Sequence, residues 1–150
     1  MGNTVPTPHD PRLNAWRTFL HAHAQVRRQL ERELQAEQSM GLGEYELLLI
    51  LAYSHHRRLR MSELATTLSL SRSGATRLID RLEAGGLVRR ESCDTDRRGQ
   101  WAALTDDGYA RLRGASPTHL RGVAEHFLDL IPPADLDALS RILDRVVERA

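Results

Sequence analysis

The apolar positions of this 150-residue chain recur mainly at spacings of three and four, and this period predicts a protein built largely of helices. The helical runs are separated by glycines, by prolines and by short polar stretches. Pro117 lies inside the fifth run and is expected to kink or interrupt it, with Ser116 as a cap for the restart. The predicted helices cover residues 11–37, 43–55, 62–68, 71–84, 105–130 and 134–149.

The period changes after Gly85-Gly86, where the pattern becomes that of a β-hairpin. One strand is predicted over 87–93 and its partner over 100–104, with a charged six-residue tip over 94–99 between them. A short strand or bridge is also expected at Arg60-Met61. The fold class predicted from these periods is mainly α with one small β-wing (α+β).

Short polar residues and glycines predict where the central elements begin and end. Ser62, Ser71 and Thr105 each precede a helical run and are expected to cap it, because their hydroxyls can accept a hydrogen bond from a free backbone N–H. Gly85, the first glycine of the pair, is expected to take the left-handed conformation that ends the fourth helix.

The predicted helix over 71–84 has two chemically different faces. Ala75, Leu78, Ile79 and Leu82 fall within one narrow arc of the helical wheel. Such a helix suits the major groove of DNA, because Arg can fork onto guanine while Ser or Thr bonds bases or phosphates. An ordinary solvated face is the alternative interpretation. The polar side carries Ser73, Thr76, Arg77 and Asp80, flanked by Arg72 and Arg81.

Basic charge is concentrated in the middle of the chain. The formal net charge of the whole chain is only +1, which by itself does not indicate nucleic acid. From His55 to Arg98, however, ten Arg stand against six acidic residues, whereas the remainder has eleven Arg against fourteen. A gathered basic segment of this kind is typical of a surface that binds phosphates.

Composition and motifs exclude several classes of protein. With 41% apolar and 27% charged residues and no long apolar run, the chain is predicted to be globular, without a membrane partner. The polar segment 1–10 reads as a flexible tail, and the single Cys93 excludes an intramolecular disulfide and fits a cytoplasmic protein. No nucleophile–base pair, carboxylate pair or phosphate loop is present, so neither an enzyme nor a cofactor is predicted.

Five short motifs follow one another within residues 15–147. They are Met61–Ala65, Leu70–Ser73, Leu82–Arg90, Asp96–Gly99 and Leu104–Gly108. Taken together and in this order, these motifs resemble the MarR family of winged helix-turn-helix regulators. Each motif is weak alone, and the specific signal is their combination at these separations. One departure is Ser69, which stands where many such turns have glycine and therefore implies a turn without a positive φ.

The resemblance implies a winged helix-turn-helix whose N- and C-terminal helices form a dimerisation domain. A homodimer would place two recognition helices about one duplex turn, ~34 Å, apart, so a repressor acting on double-stranded DNA would bind a pseudo-palindromic operator. The domain is expected over 11–150, with a DNA-binding core over 43–104 and dimerisation helices over 11–37 and 105–149.

The same resemblance assigns the DNA contacts to the recognition helix 71–84 and to the wing 94–100. Arg98 would enter the minor groove at the wing tip, and Asp96 would support the tip by pairing with a neighbouring guanidinium. The predicted DNA-binding residues are Ser62, Ser71, Arg72, Ser73, Thr76, Arg77, Arg81, Arg97 and Arg98.

Relatives bind small aromatic or phenolic acids between the dimer helices and the DNA-reading unit, so a small-molecule effector is expected here too. Trp16 and Tyr45 are candidates to line that crevice, although Trp16 could instead pack in the dimer interface. The alternatives are a metal- or redox-responsive regulator of the same fold, or a protein-interaction adaptor that does not bind DNA. His21 and His23 lie on different faces of the helix, where they cannot easily share one metal ion, so no metal site is predicted. The acidic neighbours of Cys93 disfavour a reactive thiolate, which makes a redox switch at this residue unfavourable.

Overall fold

The structure is a computed structural model that describes the backbone of residues 5–93 and 96–148 and the side chains of residues 5–92 and 100–148. This part of the chain is mainly helical with one three-stranded sheet, which confirms the predicted fold class. The helices are α1 (Leu13–Gln38), α2 (Leu42–Tyr53), α3 (Met61–Thr67), α4 (Arg72–Ala84), α5 (Asp106–His126) and α6 (Pro133–Val147). The strands are β1 (Arg58–Arg60), β2 (Val88–Cys93) and β3 (Asp96–Leu104), and short 3-10 turns cover His55–Arg57 and Leu128–Leu130.

The sheet is antiparallel, with β3 in the centre and the order β1-β3-β2. Trp101 of β3 lies opposite Arg60 on one side and opposite Glu91 on the other. The neighbouring positions Val88, Ala102 and Leu104 are buried, so one face of the sheet belongs to the core. Because side chains alternate along a strand, the residues in register with Trp101 lie on the opposite face.

The chain divides into two compact units. The first, here called the winged unit, runs from Glu33 to Leu120 and contains the sheet, α2, α3 and α4. The second, here called the terminal unit, consists of the chain up to Arg32 and the chain from Arg121 onward. Helices α1 and α5 each contribute residues to both units.

The core of the winged unit is centred on α2, whose sequence is apolar on nearly every side. Leu47, Leu48 and Leu51 of this helix are fully buried, together with Leu64 of α3 and Ile79 of α4. Burial of one such side chain is worth about 1.5–3 kcal/mol, so this cluster is the main attachment of the short helices to each other.

The terminal unit, in contrast, leaves large apolar side chains in solvent. Trp16 of α1 is 56% exposed, and Ile142 and Val146 of α6 are 57% and 63% exposed. The apolar side chains of α6 therefore form an exposed stripe that includes Ile142 and Val146, and none of the described residues of that helix is buried. None of the helices in the described part combines the length and apolar content that a membrane span requires.

Two of the three predicted helix caps are confirmed and one is wrong. The Ser71 hydroxyl accepts a hydrogen bond from the Gly74 N–H at 3.1 Å, and the Thr105 hydroxyl accepts one from the Gly108 N–H at 2.9 Å. Ser62 is not a cap, because α3 begins one residue before it. A carboxylate takes over that role, since Glu63 accepts the N–H of Arg60 at 3.0 Å.

The predictions for the two turns around α3 and α4 are both wrong in the residue that takes a positive φ. Ser69 has φ +52°, and in the glycine pair it is Gly86, at φ +72°, and not Gly85, that is left-handed. Both helices end in the same way: the N–H after the left-handed residue reaches back to a carbonyl of the last turn, at 2.9 Å in each case. In the glycine pair, this closure places the left-handed residue at Gly86, one position later than predicted. In the turn after α3, it requires a positive φ at Ser69 although this residue is not glycine.

Helix α5 runs without interruption from Asp106 to His126, so the predicted restart at Ser116 is wrong. Pro117 removes one backbone donor, but the buried residues Leu112, Ala115 and Thr118 anchor the helix on both sides of it. The Ser116 hydroxyl instead donates to the Leu112 carbonyl at 2.8 Å.

The hairpin is also tighter than the predicted six-residue tip. Strand β3 begins at Asp96, and Cys93 pairs with Asp96, so the strands are joined at 94–95, outside the described residues. A register shift between Ser92 and Cys93 accommodates the residues that the sequence pattern assigned to a loop.

Candidate nucleic-acid interface

Helix α4 has the two faces that its sequence predicts. Ala75, Leu78, Ile79 and Leu82 are all buried in the winged unit. This burial fixes the rotation of the helix about its axis and therefore decides which residues face solvent. The exposed residues are Ser71, Arg72, Ser73, Thr76, Arg77, Asp80 and Arg81.

The hydroxyls at the start of α4 are held by local hydrogen bonds. Besides capping the helix, the Ser71 hydroxyl lies 3.2 Å from that of Ser73, and the Thr76 hydroxyl donates to the Arg72 carbonyl at 2.9 Å. These contacts order the first turn, where the positive end of the helix dipole favours an anion.

Arg72 and Arg77 are the exposed cations of this face. Within the described part of the chain, no carboxylate forms an ion pair with either guanidinium. Each therefore keeps its full set of N–H donors for a partner outside the chain. A guanidinium presented in this way can form a bidentate contact with guanine or with a phosphate.

Arg81 has a different environment, although the sequence grouped it with the other arginines. Its Nε lies 3.3 Å from the Glu44 carboxylate, which also accepts the Gly41 N–H at 3.1 Å at the start of α2. The guanidinium therefore ties α4 to α2. The assignment of Arg81 to DNA binding stays a prediction, and its contact with Glu44 is a second, structural role for the same side chain.

Arg90 of β2 is a residue of the site that the sequence reasoning missed. The guanidinium of Arg90 binds Glu83 and lies 2.5 Å from the Asp80 carboxylate. The backbone N–H of Arg90 also donates to the Glu83 carboxylate, at 2.9 Å. Burial lowers the pKa of Arg90, but its hydrogen bonds to Asp80 and Glu83 outweigh that effect and raise it. Both acidic groups in the second half of α4 are thereby paired with a cation that offsets one of their two negative charges, which reduces the repulsion of a polyanion.

The remaining predicted DNA contacts are placed only in part. Ser62 is exposed on α3, and its carbonyl accepts the Thr66 hydroxyl at 3.2 Å. Arg97, Arg98 and the supporting Asp96 lie on the β3 backbone, and their side chains lie outside the described residues. The assignments of these four residues stay predictions.

The two candidate effector residues lie in different units. Trp16 belongs to the terminal unit and stacks on Phe19, with the ring centroids 6.1 Å apart. Tyr45 belongs to the winged unit and is only 2% exposed. Its ring stacks on His119 at 4.3 Å and its hydroxyl donates to Ser116 at 3.3 Å, so Tyr45 is already packed within its own unit.

A two-faced recognition helix, preceded by a short helix and followed by a β-hairpin, defines this protein as a winged helix-turn-helix protein. Comparison with known proteins indicates which family of winged helix-turn-helix proteins this chain resembles. A sequence model of the MarR family matches residues 39–99. The HTH-type transcriptional regulator YfiV of Bacillus subtilis is 31% identical over 115 residues, which are 74% of this chain and 69% of YfiV.

Two further similarities cover more of the chain. The transcriptional repressor MprA of Escherichia coli (strain K12) is 27% identical over 135 residues, 89% of this chain and 74% of MprA. Sco3205, a MarR family transcriptional regulator from Streptomyces coelicolor solved in complex with DNA, has 38% identity and a TM-score of 0.84 over 97% of this chain and 90% of that chain. The chain belongs to the MarR family of transcriptional regulators, which are DNA-binding proteins and not enzymes.

Proposed function

We propose that this protein is a homodimeric repressor, acting in the cytoplasm, that places α4 in the major groove of a pseudo-palindromic operator and the wing in the minor groove. The observation that carries the proposal is the pair Arg72 and Arg77, which are exposed and without carboxylate partners in the described part of the chain. The two acidic groups of the same helix are paired with Arg90, which offsets one of their two charges. The similarity to MprA, a transcriptional repressor, and to Sco3205, which was solved in complex with DNA, supports the proposal.

The terminal unit supports the homodimer. The apolar residues Trp16, Phe19 and Leu20 of α1 and Ile142 and Val146 of α6 are exposed in this one unit. A second copy that covers them would remove these apolar side chains from water, which is the usual driving force of an obligate interface. The proposed division is then a DNA-binding core over 43–104 and dimerisation helices over 11–37 and 105–149.

Release from DNA is proposed to depend on a small aromatic ligand. Such a ligand must bind the DNA-free geometry more tightly than the DNA-bound one, because only a difference in affinity shifts the equilibrium. Trp16 and Tyr45 remain the proposed candidate contacts. Because Tyr45 is only 2% exposed and stacks on His119, a ligand that contacts Tyr45 would have to displace this packing.

The test is the binding of duplexes that the protein enriches from a random library, measured by fluorescence anisotropy. Arg77→Ala is expected to weaken binding about 10- to 100-fold, because a good bidentate contact is worth about 1–3 kcal/mol. Arg113→Ala, which removes an arginine that is also exposed, on α5, is the matched control and should bind like the wild type.

Two outcomes would contradict the proposal. If no duplex is enriched at low salt, the chain is the protein-interaction adaptor and not a DNA-binding repressor. If Arg77→Ala and Arg113→Ala bind equally well while both remain folded, α4 is not the element that reads DNA.

A further inference from the structure

The face of the sheet that points away from the core carries an organised basic cluster, here called the outer sheet face. It consists of Arg58 and Arg60 of β1, Arg89 and Glu91 of β2, and Trp101 of β3. The register places Arg60 and Glu91 on either side of Trp101, and Arg58 and Arg89 on either side of Ala103. Antiparallel partners share a face, so these five side chains stand together.

The cluster is held by an aromatic ring and a carboxylate. The guanidinium carbons of Arg58 and Arg60 lie 4.9 and 5.0 Å from the centre of the Trp101 ring, within the range of a cation–π contact. Glu91 accepts hydrogen bonds from Arg58 at 3.1 Å and from Arg89 at 2.9 Å. Burial raises the pKa of Glu91, but these two hydrogen bonds outweigh that effect and lower it.

This arrangement leaves the outer sheet face positively charged. Arg58 and Arg89 share the carboxylate of Glu91, and each guanidinium has five N–H donors, so most donors of these two side chains are not used by Glu91. The side chains of Arg58 and Arg89 remain 41% and 59% exposed. Trp101 and Glu91 hold the arginine side chains in place before a partner binds, which lowers the entropic cost of binding.

The position of the cluster favours DNA over another polyanion. Strands β2 and β3 are the two strands of the wing, and Trp101 lies three residues from Arg98. At about 3.3 Å per residue, the cluster is on the order of 10 Å along the hairpin from the predicted minor-groove contact. A wing that enters the groove would therefore bring this face beside the backbone of the same duplex.

We propose that the outer sheet face is a second duplex-binding surface, which binds backbone phosphates of the DNA that flanks each operator half-site. This inference rests on the proposed function, since it extends the same complex outward from the wing. Phosphate contacts of this kind add affinity without reading sequence. The operator bound by this protein is then longer than the bases that α4 and the wing contact.

The test compares two duplexes built from the enriched sequence: the core alone, and the core extended by about ten base pairs, roughly one helical turn, on each side. The variant Arg58→Gln/Arg60→Gln removes two charges and keeps planar groups over Trp101. It should bind the core duplex like the wild type and lose about tenfold in affinity for the extended duplex at about 0.1 M salt, with a salt slope lower by about two.

Two further variants keep the result interpretable. Arg89→Gln leaves the Arg58–Glu91 pair in place and should lose a smaller part of the gain from the flanks, which covers the case that the double variant does not fold. Arg113→Gln makes the same change of charge on exposed α5 and should keep the whole gain.

The failures of the two proposals can be distinguished. If the wild type binds the core duplex but gains nothing from the flanks, or if the folded double variant keeps the whole gain, the outer sheet face is not a DNA surface and the repressor function stands. If the flanks add nothing while a polyglutamate peptide binds in a way that needs Arg58 and Arg60, the face serves an acidic protein partner instead. If no duplex binds, both proposals fall.

Discussion

Gly108, in the first turn of α5, shows how a single missing Cβ positions a helix against the sheet. A Cβ built there would lie 2.0 Å from the Leu87 carbonyl oxygen and 2.7 Å from Leu104 Cδ1. The Thr105 N–H donates to the same Leu87 carbonyl at 3.1 Å. The start of α5 can therefore approach the strand that leads to the wing only because residue 108 has no side chain.

Gly108→Ala is expected to destabilise the protein by about 1–3 kcal/mol, because the overlap is with backbone atoms that cannot move aside. Gly114→Ala in the same helix is the matched control. Nothing lies within 4 Å of a Cβ at that position, so it should stabilise the helix by about 0.5–1 kcal/mol. Urea denaturation of both variants measures the difference, and an equal effect of the two would refute the close approach.

His119 predicts how stability depends on pH. Burial lowers its pKa below the ordinary 6.5, with a smaller opposing effect of Glu46, and its buried Nδ1 has no hydrogen-bond partner among the described residues. The unfolded chain therefore binds the proton at a higher pH than the folded protein does. The contribution of His119 to the free energy of unfolding is expected to be fully present above about pH 7. It should be lost progressively as the pH drops below 6.5 toward the pKa of the folded state.

His119→Phe keeps a ring against Tyr45 and removes the titration, so its thermal stability should decrease less between pH 7.5 and pH 5.5, a range of roughly one unit on either side of the ordinary histidine pKa. His55→Phe changes an exposed histidine and should keep the pH dependence of the wild type. If the wild type and His119→Phe lose stability in parallel, another group controls the acid response.

At the scale of elements, the contact between α4 and β2 determines how the recognition helix is held relative to the wing. Arg90 is half-buried and binds Asp80 and Glu83, which lie about one helical turn apart on α4. One side chain therefore fixes the second half of the helix to the first wing strand. Because the same contact offsets one of the two negative charges of these carboxylates, it also changes the charge that DNA would meet.

Arg90→Ala should destabilise the protein by about 1–3 kcal/mol, since a partly buried charged group loses its partners. It should also weaken DNA binding at temperatures where the variant is fully folded, because Asp80 and Glu83 then repel the backbone. Adding Asp80→Asn should restore part of the binding without restoring stability. If the single and double variants bind DNA equally, charge neutralisation is not part of the role of Arg90.

At the scale of the whole molecule, the proposed homodimer would form through the terminal unit. Ile142→Asp places a charge in the middle of the exposed stripe of α6 and should convert a dimer into monomers at micromolar concentration, because an unpaired charge is costly to bury. Light scattering after gel filtration measures the mass, and anisotropy should show weaker operator binding.

Ser140→Asp is the matched control for this change, since residue 140 is also exposed on α6 but lies about 160° from residue 142 around the helix. It should remain dimeric. Two findings would refute the proposed interface: a wild type that is monomeric at these concentrations, or an Ile142→Asp variant with the mass of the wild type.

The comparison of sequence and structure follows the same order of scale. The existence of the elements, the buried face of α4 and the caps at Ser71 and Thr105 were predictable because each depends on neighbours within one or two helical turns. The positive φ at Ser69 and the choice of Gly86 over Gly85 were not, because the hydrogen bond that closes each helix decides which residue is left-handed. The passage of α5 through Pro117 was not, because the buried residues on both sides of Pro117 hold the helix together.

What the sequence by itself determined is the set of elements and the polar face of the recognition helix, since both follow from the period of the residues along the chain. Only the tertiary structure decided which arginines form contacts within the chain and which remain available to DNA. Arg81 meets Glu44 across 37 residues, Arg90 meets Asp80 across ten, and Arg58 and Arg60 come together over Trp101, whereas Arg72 and Arg77 meet no carboxylate in the described part of the chain. The reason is physical: an arginine's role depends on what packs against its guanidinium, and folding brings those groups from distant parts of the chain.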